Sequence, residues 1–497
     1  MSHTPEGHAN RVPFPGSFFC GALCSRIGPA RRAVGKRIIL GILLVCATLS
    51  AEDIPKQRLD QIYQSAVADY DAGRFAAAAG QLEKVLPYAT RSFEVHELLG
   101  MIYASMADNA KALDHFKLAV QLKPDSAAAR TNLGALLMQS GKTALAGEQF
   151  RKALQLEPES FDANHDLGEF YIKSGNVSDA LPLLKKAEQI DPGSSENSYD
   201  LAMADYVVGQ LDEARALVLT LVRHQDAAEL HGLLGQIDEK DGKFVDAVNE
   251  YQTALHMNPS EDNFFDLGCE MLLHRTYEPA IAVFQTATQR YPKSPRIWIG
   301  LGLALYSRGK YDDAVKALMS AADLNPADPR CYLFLSKAYD SSPTQADEVT
   351  DRFRRYAELK PDDPLAQYYY AISLWKARRA QSSTVNVLQI EDLLKKSIAL
   401  NGTLPEVHVQ LGDLYSDQHQ WDKAIPEYER ALELNPNLSD AHYRLGTDYV
   451  RVGQKDRAQK EFAVYQALRA QHLAELDKER AEVKQFVYSE KDDPGNP

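Results

Sequence analysis

The chain has 497 residues, of which 45% are hydrophobic and 25% are charged. This is the mixture of a globular protein, and it excludes a disordered, collagen-like or multi-span membrane chain. The 55 basic and 69 acidic residues give a formal charge of −14, so the chain has no overall basic field for nucleic acid or anionic lipid, and nucleic acid is not expected as a partner.

The first 51 residues have the layout of an N-terminal extension followed by a secretory signal peptide. A basic cluster from Arg31 to Arg37 precedes an apolar h-region at about residues 38–48 and a small-residue stretch that ends at Ala51. Such an h-region is typical of a signal peptide and is shorter than the roughly 18 residues of a membrane span. We therefore expect an exported protein, periplasmic or extracellular. Removing residues 1–51 takes away six basic residues and one acidic residue, which makes the formal charge −19.

Two alternatives keep the chain at the membrane. In the first, the signal segment is not cleaved and anchors the protein through residues 38–50. In the second, Cys46 is lipidated, because Leu43-Leu44-Val45-Cys46 is similar to a lipobox, although that motif requires a small residue where Val45 stands. Membrane association is expected only in these two cases.

An internal repeat of about 34 residues follows a short lead-in at 52–58 and extends over residues 59–472. Pro124, Pro158 and Pro192 lie 34 residues apart, and each ends a helix because proline disfavours helical geometry in the residue before it. One or two residues after the repeat's proline comes a side chain that can cap a new helix. The predicted caps are Ser126, Ser160, Ser194, Ser260, Ser294 and Asp328.

Two kinds of glycine recur in the repeat. The first lies inside the first helix, as in Leu133-Gly134, where it costs about 1 kcal/mol relative to alanine and therefore indicates close packing of two helices. An alanine twelve residues later, such as Ala146, is expected to face it from the second helix. The second kind lies between the helices, where the chain needs a positive φ. These turn glycines are Gly141, Gly175, Gly209, Gly242, Gly309 and Gly453.

This pattern resembles the tetratricopeptide repeat (TPR) family, and with the export signal it is similar to the exported bacterial type. The resemblance covers residues 59–472 as about twelve helix-turn-helix repeats. It includes the bulky framework residues of both helices, such as Tyr103, Tyr171 and Tyr415 in the first and Phe116, Phe150, Phe284 and Phe462 in the second. The implied fold is all-α, a right-handed superhelical solenoid.

Two segments depart from the repeat. Lys376 to Asn386 lengthens the turn of the repeat at 364–404, and this insertion is interpreted either as a tolerated surface loop or as a binding element. Residues 473–497 follow the last repeat. They are predicted to extend the last helix through the charged stretch from Glu475 to Lys484 as a cap, and to end in a disordered tail.

The sequence contains no motif that carries chemistry. HExxH, CxxC, GxSxG, P-loop and dinucleotide fingerprints are absent, and the histidines lack metal-ligand spacing. Cys269 and Cys331 lie 62 residues apart and are interpreted as buried thiols. We expect no enzymatic activity, no cofactor and no metal.

The resemblance implies a binding groove lined by the first helices, with positions 2, 5, 9 and 12 of each repeat facing the ligand. The partner-binding residues predicted in this way are Tyr199, Tyr206, Phe265, Tyr306, Tyr368, Trp375 and Tyr443, with Tyr63 and Tyr70 at the entrance. The acidic residues that border them are Glu94, Glu97, Asp162, Glu169, Glu196, Glu229, Glu239, Asp262 and Asp413. An alternative for position 12 is packing between neighbouring first helices.

These features predict a non-enzymatic protein-protein interaction scaffold of the cell envelope or the secreted space. Its ligand is expected to be a partner protein or extended peptide, basic or apolar, because aromatic and acidic side chains favour such a segment. The carboxylate clamp of chaperone-binding family members is absent, since it requires Lys and Asn where this chain has Glu97 and Met101. The alternative is a carbohydrate- or polymer-binding accessory subunit of an envelope export or assembly machine.

Overall fold

The computed structural model describes residues 56–342, 345–379 and 386–491, and these residues fold as a series of helix hairpins. Twelve hairpins lie in these residues and no strand does, which confirms the predicted all-α repeat fold. They divide after Asn258 into an N-terminal unit and a C-terminal unit with six hairpins each. The predicted signal peptide, Cys46, the middle of the insertion at 380–385 and the tail at 492–497 lie outside the described residues.

Each repeat consists of a first helix, with an odd number, and a second helix, with an even number. In the N-terminal unit these are α1 (Lys56–Asp71), α2 (Phe75–Val85), α3 (Phe93–Ser105), α4 (Asn109–Leu122), α5 (Ala127–Gln139), α6 (Thr143–Leu156), α7 (Phe161–Lys173), α8 (Val177–Ile190), α9 (Ser195–Val208), α10 (Leu211–His224), α11 (Ala228–Lys240) and α12 (Phe244–Met257). A short 3₁₀ helix, Leu86–Tyr88, follows α2.

The C-terminal unit continues the same alternation. Its helices are α13 (Glu261–Leu273), α14 (Tyr277–Arg290), α15 (Pro295–Ser307), α16 (Tyr311–Leu324), α17 (Pro329–Ser341), α18 (Ala346–Leu359), α19 (Pro364–Arg379), α20 (Val387–Leu400), α21 (Pro405–Asp417), α22 (Trp421–Leu434), α23 (Ser439–Arg451) and α24 (Lys455–Lys491). The helix α19 includes Lys376–Arg379, which the sequence assigned to the insertion. The long α24 passes through the charged stretch as predicted.

The first helices begin where the sequence predicts a cap. All six predicted caps accept a backbone N–H with their side-chain oxygen, as at Ser126, whose Oγ is 3.2 Å from the amide nitrogen of Ala129. Ser92 caps α3 in the same way. Each cap satisfies one of the N–H groups that a helix start leaves without a partner, so the cap fixes where the repeat begins.

A second hydrogen bond joins the start of a first helix to the end of the previous repeat. The fourth residue of the repeat donates its side-chain N–H or O–H to the carbonyl oxygen six residues earlier, which belongs to the closing proline. The pairs are Arg130 with Pro124, Asn164 with Pro158, Trp298 with Pro292, Tyr332 with Pro326 and Gln367 with Pro361, at 2.6–3.3 Å. Five different side chains therefore make the same connection between repeats.

The turns between the two helices of a repeat use a left-handed residue. The predicted turn glycines all have positive φ, from 72° at Gly141 to 87° at Gly209. Four repeats place another residue in this conformation, namely Ala107, Arg275, Gln345 and His419, with φ between 55° and 60°. Because a Cβ is unfavourable there, these four turns are held by the packing of the helices on either side.

The glycine inside the first helix makes room for a bulky side chain. A Cβ on Gly134 would lie 3.0 Å from the ring of Phe150, and one on Gly412 would lie 2.7 Å from Tyr428, both sixteen residues further on. The bulky side chain, and not the expected alanine twelve residues on, comes nearest to such a Cβ, although Ala146 is fully buried. At Gly168 the alanine is also in contact, with the Ala180 carbonyl oxygen 3.6 Å from the Cβ position.

One ring can serve two repeats at once. Phe284 lies against Gly268 of its own repeat and against Gly300 of the next, and a Cβ on either glycine would overlap the ring. The ring is fully buried. The same contact therefore closes a hairpin and attaches it to its neighbour.

The left-handed turns give a stability prediction. Ala107→Gly is expected to raise the free energy of unfolding by about 1 kcal/mol, since glycine adopts positive φ without the Cβ penalty. Ala110→Gly, three residues later inside α4, should lower it by roughly 0.5–1 kcal/mol. Urea unfolding followed by circular dichroism measures both, and a loss of stability in both variants would contradict the conformational argument.

The glycine packing gives a second prediction. Gly268→Ala should lower the free energy of unfolding by roughly 1–3 kcal/mol, because the new methyl group overlaps Phe284. Gly80→Ala is the matched control, because Gly80 lies inside α2 with no atom near the new Cβ. This substitution should raise the free energy of unfolding by up to about 1 kcal/mol. In a Phe284→Ala background, urea unfolding should show that Gly268→Ala has lost its cost. An equal cost in both backgrounds would refute the overlap.

Candidate functional site

The first helices converge on one side of each unit. In the N-terminal unit α1, α3, α5 and α7 each pack against the next first helix, and α9 contacts α11 through the side chain of Lys240. The second helices of neighbouring repeats are not in extensive contact among the residues described there. In the C-terminal unit the same contacts run from α13 to α19 and from α21 to α23. We call the surface formed by the first helices the inner wall of each unit.

On the inner wall of the N-terminal unit the predicted residues Tyr199 and Tyr206 both belong to α9. Their rings are half-buried and pack against a core cluster that includes Ala202 and Val218. The ammonium group of Lys240 lies 4.7 Å from the centroid of the Tyr206 ring, and its Nζ donates to the Tyr206 carbonyl oxygen at 2.6 Å. One aromatic ring of the wall therefore already holds a cation of the chain itself.

An acidic cluster on α7 and α9 consists of Glu169, Glu196 and Asp200, the last of which follows Tyr199 directly in sequence. Burial raises the pKa of Asp200 to about 6; His165 and Lys173 oppose this shift, and the two glutamates reinforce it. Glu169 is buried and forms an ion pair with Lys173. The two glutamates thus act on Asp200 as like charges, which makes the cluster electrostatically suited to a further positive charge.

A second acidic site lies at the start of the same wall. Burial raises the pKa of Glu97 to about 7, where Lys123 opposes the shift and Glu94 adds to it. Burial, Glu97 and Glu94 also raise the pKa of Tyr63 to about 12. The predicted entrance residue Tyr63 is therefore beside two of the predicted acidic residues, as a groove with an acidic border requires. Tyr70, the other entrance residue, packs 5.5 Å from Phe75 between ring centroids.

On the inner wall of the C-terminal unit, Phe265 also holds a cation. The guanidinium carbon of Arg296 lies 4.5 Å from the centroid of the Phe265 ring. The same guanidinium contacts Asp262, with 2.6 Å between Nη2 and Oδ1. An arginine sandwiched between an aromatic ring and a carboxylate is the arrangement that a basic side chain of a ligand would adopt.

The other predicted residues of this unit lie in different surroundings. Tyr306 is half-buried beside Tyr311, with 5.5 Å between ring centroids, and burial raises its pKa. Tyr368 is half-buried against Tyr369. Tyr443 is 51% exposed. These three tyrosines therefore remain available as contact residues of the wall.

Trp375 is the most buried of the predicted contact residues. Its side chain is only 9% exposed and belongs to a core cluster of this unit. It lines a cavity of about 240 Å³ together with Arg378, Val387, Ile390, Leu414, Asp417 and Gln418. The position-12 alternative, packing within the core, describes Trp375 better than contact with a ligand in the groove.

Sequence reasoning missed three residues of the inner wall. Asp200 is at position 6 of its repeat, outside the four positions that the resemblance assigns to the groove. Lys240 and Arg296 were not connected to the aromatic residues, because each cation reaches a ring of the preceding repeat, 34 and 31 residues earlier. A search for cations one period after an aromatic position would have found Lys240, and one after an acidic position would have found Arg296, which follows Asp262 by 34 residues.

The described residues show no sign of other chemistry. They contain no cluster of His, Cys, Asp and Glu that could hold a metal ion. Cys331 is buried as predicted, and burial raises the pKa of its thiol to about 12, whereas Cys269 is half-buried. Within residues 56–342, 345–379 and 386–491, no helix is both long and apolar enough for a membrane span.

The raised pKa of Asp200 gives a prediction about stability. The folded chain holds this proton up to about pH 6, whereas an unfolded Asp loses it near 3.8. Stability therefore falls as the pH rises through that window. Asp200→Asn should raise the free energy of unfolding by about 1 kcal/mol near pH 7.5, after discounting for solvent screening, and leave it unchanged near pH 4.

Urea titrations at the two pH values measure this difference. The exposed Asp179 of α8 provides the control, because Asp179→Asn makes the same chemical change without burial. A destabilised Asp200→Asn at the higher pH would show instead that the carboxylate is held by a favourable ion pair.

Several solved structures are similar to the chain. A tetratricopeptide repeat protein from Parabacteroides merdae is 18% identical over 50% of this chain and 99% of its own, with a TM-score of 0.39. The APC/C hetero-tetramer Cut9-Hcn1 is 15% identical over 83% of this chain and 87% of that one, with a TM-score of 0.37. YrrB, a TPR protein with an unusual peptide-binding site, is 20% identical over 37% of this chain and 94% of that one, with a TM-score of 0.34. No curated protein matches the chain.

Sequence models of the repeat match in both units. Models described as tetratricopeptide repeat match residues 63–127, 137–181, 174–237 and 267–329, and one described as TPR repeat matches residues 412–453. Together they cover more than half of the 497 residues, and they agree with the hairpins, the caps and the glycine packing described above. The chain therefore belongs to the tetratricopeptide repeat family.

Proposed function

We propose that this protein is a non-enzymatic scaffold that binds an extended peptide segment of a partner protein along its inner walls, and that the segment alternates basic and apolar side chains. The repeat family supports the general role, because stacked hairpins add binding surface without needing a larger core. The basic and apolar character is inferred from the side chains of the walls.

The observation that carries the proposal is the pair of cations already bound to aromatic rings. Lys240 lies over Tyr206, and Arg296 lies between Phe265 and Asp262. These contacts demonstrate that the rings accept a positive charge at 4.5–4.7 Å. A basic peptide would make the same contact at the tyrosines beside the acidic cluster, where Tyr199 adjoins Asp200 in sequence on α9. Its apolar side chains would lie on the half-buried rings.

We also propose that the protein acts outside the cytoplasm, in the periplasm or the secreted space. The support for this is the signal-peptide layout of residues 1–51, and a formal charge of −19 for the remainder would favour a basic partner. Cell fractionation with an antibody against the repeats tests the location, and retention of the chain in the cytoplasm would refute it.

The carbohydrate-binding alternative has less support. A sugar ring stacks on an exposed aromatic face, and Trp375, the one tryptophan of the predicted set, is buried. Of the remaining tyrosines, Tyr368 lies near Glu406 and Asp413, and Tyr199 precedes Asp200. Carboxylates recognise cations better than hydroxyl groups.

The proposal predicts selective binding of basic peptides. The probe is a fluorescein-labelled peptide of alternating Lys and Leu, compared with one of alternating Glu and Leu, by fluorescence anisotropy. The basic peptide should bind at least roughly tenfold more tightly, a difference of about 1.4 kcal/mol. Its affinity should fall as salt is raised, and should increase from about pH 5 to about pH 7.5 as Asp200 loses its proton.

Two variants locate the contact. Tyr199→Ala and Asp200→Asn should each weaken binding of the basic peptide by roughly threefold to tenfold. Each substitution removes one partner of a lysine side chain of the peptide. Asp179→Asn, on the second helix α8, is the matched control and should bind as the wild type does. Equal affinity for both peptides, or equal losses in all three variants, would overturn the proposal.

A further inference from the structure

The last repeat has an exposed aromatic surface. Tyr443 of α23 lies 5.8 Å from Phe462 and 5.3 Å from Tyr465 of α24, measured between ring centroids. Tyr443 is 51% exposed, and both α24 rings are half-buried. Leu473, which is 52% exposed, follows Phe462 by eleven residues, or about three helical turns, and so lies on the same side of α24. We call these four residues the aromatic end face.

The equivalent residues of the earlier repeats are covered. Phe462 packs on Gly446 as Phe150 packs on Gly134 and Tyr428 on Gly412. Phe150 and Tyr428 are almost fully buried, because the first helix of the next repeat lies over them. Phe462 packs on the glycine of its own repeat, but in the described residues no helix of a following repeat lies over it. The end face is therefore the surface on which a further helix would pack if the array continued.

The other end of the array is built differently. On α1 the side chains of Gln61, Gln64 and Ser65 are exposed, whereas Ala66 is buried against the core cluster of repeats 1–4. The first helix thus presents polar groups where a preceding repeat would pack, as a capping helix does. The two ends are not complementary, since one is polar and the other is apolar and aromatic.

We infer that the aromatic end face is a dimerisation surface and that its occupant is the same face of a second copy of this chain. When the same apolar patch of two copies packs together across a two-fold axis, it is buried on both copies and no further copy can be added at that surface. Stacking of the apolar end on the polar end of another copy would leave the aromatic rings against Gln61 and Gln64. The polar α1 therefore disfavours open head-to-tail chains.

The second argument for a second copy is the continuity of this face with the core. Phe462 belongs to the core cluster of repeats 10–12. The helix α24, with 37 residues, is more than twice as long as the 13–14 residues of its neighbours α21, α22 and α23. Leu473 lies beyond the part of α24 that a helix as short as α23 can cover. Leu473 is therefore left for the same helix of a second copy to cover, side by side with its own.

Sedimentation velocity of the full chain between about 1 and 50 µM tests the inference. The wild type should form a species of twice 55.3 kDa as its concentration rises. Tyr465→Glu and Leu473→Glu each place a charge in the paired face and should raise the dimer dissociation constant at least about tenfold. A wild type that stays monomeric over the whole range would overturn the inference, whatever other molecule covers the face.

Val464→Glu is the matched control. Val464 is also exposed on α24. It points away from the aromatic end face, because two residues along a helix correspond to about 200° of rotation from Phe462. It should leave the dimer intact, and an equal loss in this variant would show that the substitutions act on α24 as a whole. Circular dichroism establishes that each variant is folded. Binding of the basic peptide should be unchanged in Leu473→Glu, because Leu473 lies on a second helix, about three turns from Phe462, and is not among the predicted contact residues. The dimer and the proposed function can therefore fail independently.

Discussion

The contact between a glycine of the first helix and a bulky side chain of the second is the interaction on which the array depends. Phe284 shows why, since it is held between Gly268 of its own repeat and Gly300 of the next. The contact brings two helices close enough to bury a ring completely, and the following helix seals it. Within each unit a repeat is thus completed by its successor, which makes the stability of the unit a sum of neighbouring contacts. The last repeat has no successor in the described chain, and its aromatic side chains stay exposed for that reason.

Close packing of the hairpins also creates the inner walls. Because first helices contact first helices, residues one period apart come together, and a charge on one repeat can reach a ring or a carboxylate on the preceding one. Arg296 reaches Phe265 and Asp262 in this way, and Lys240 reaches Tyr206. The wall is therefore assembled between repeats and not within any of them, and its charge pattern depends on the order of the repeats.

The sequence predicted what is local and periodic. Caps such as Ser126 and turn glycines such as Gly141 act within a few residues, so their spacing alone identified them, and the structure confirms both. It could not predict relations that depend on the angle between helices. The Phe150 ring comes nearest to a Cβ on Gly134, sixteen residues away, and Trp375 lies in the core although its position belongs to the groove set. Burial, which raises the pKa of Asp200, also depends on neighbours outside its own repeat. The contact roles of Tyr199, Tyr206, Phe265, Tyr306, Tyr368 and Tyr443 stay predictions.

The cations already on the wall change what a ligand must do there. Lys240 and Arg296 act as tethered competitors, held beside their rings at the high effective concentration that a covalent chain provides. A free lysine or arginine side chain exchanges one such contact for another and gains little. In the proposed function, a segment with several basic groups therefore gains its affinity on each wall from further contacts, and not from replacing the one tethered cation there. Under that proposal each wall disfavours short or singly charged ligands, and its selectivity lies in the length and spacing of the segment.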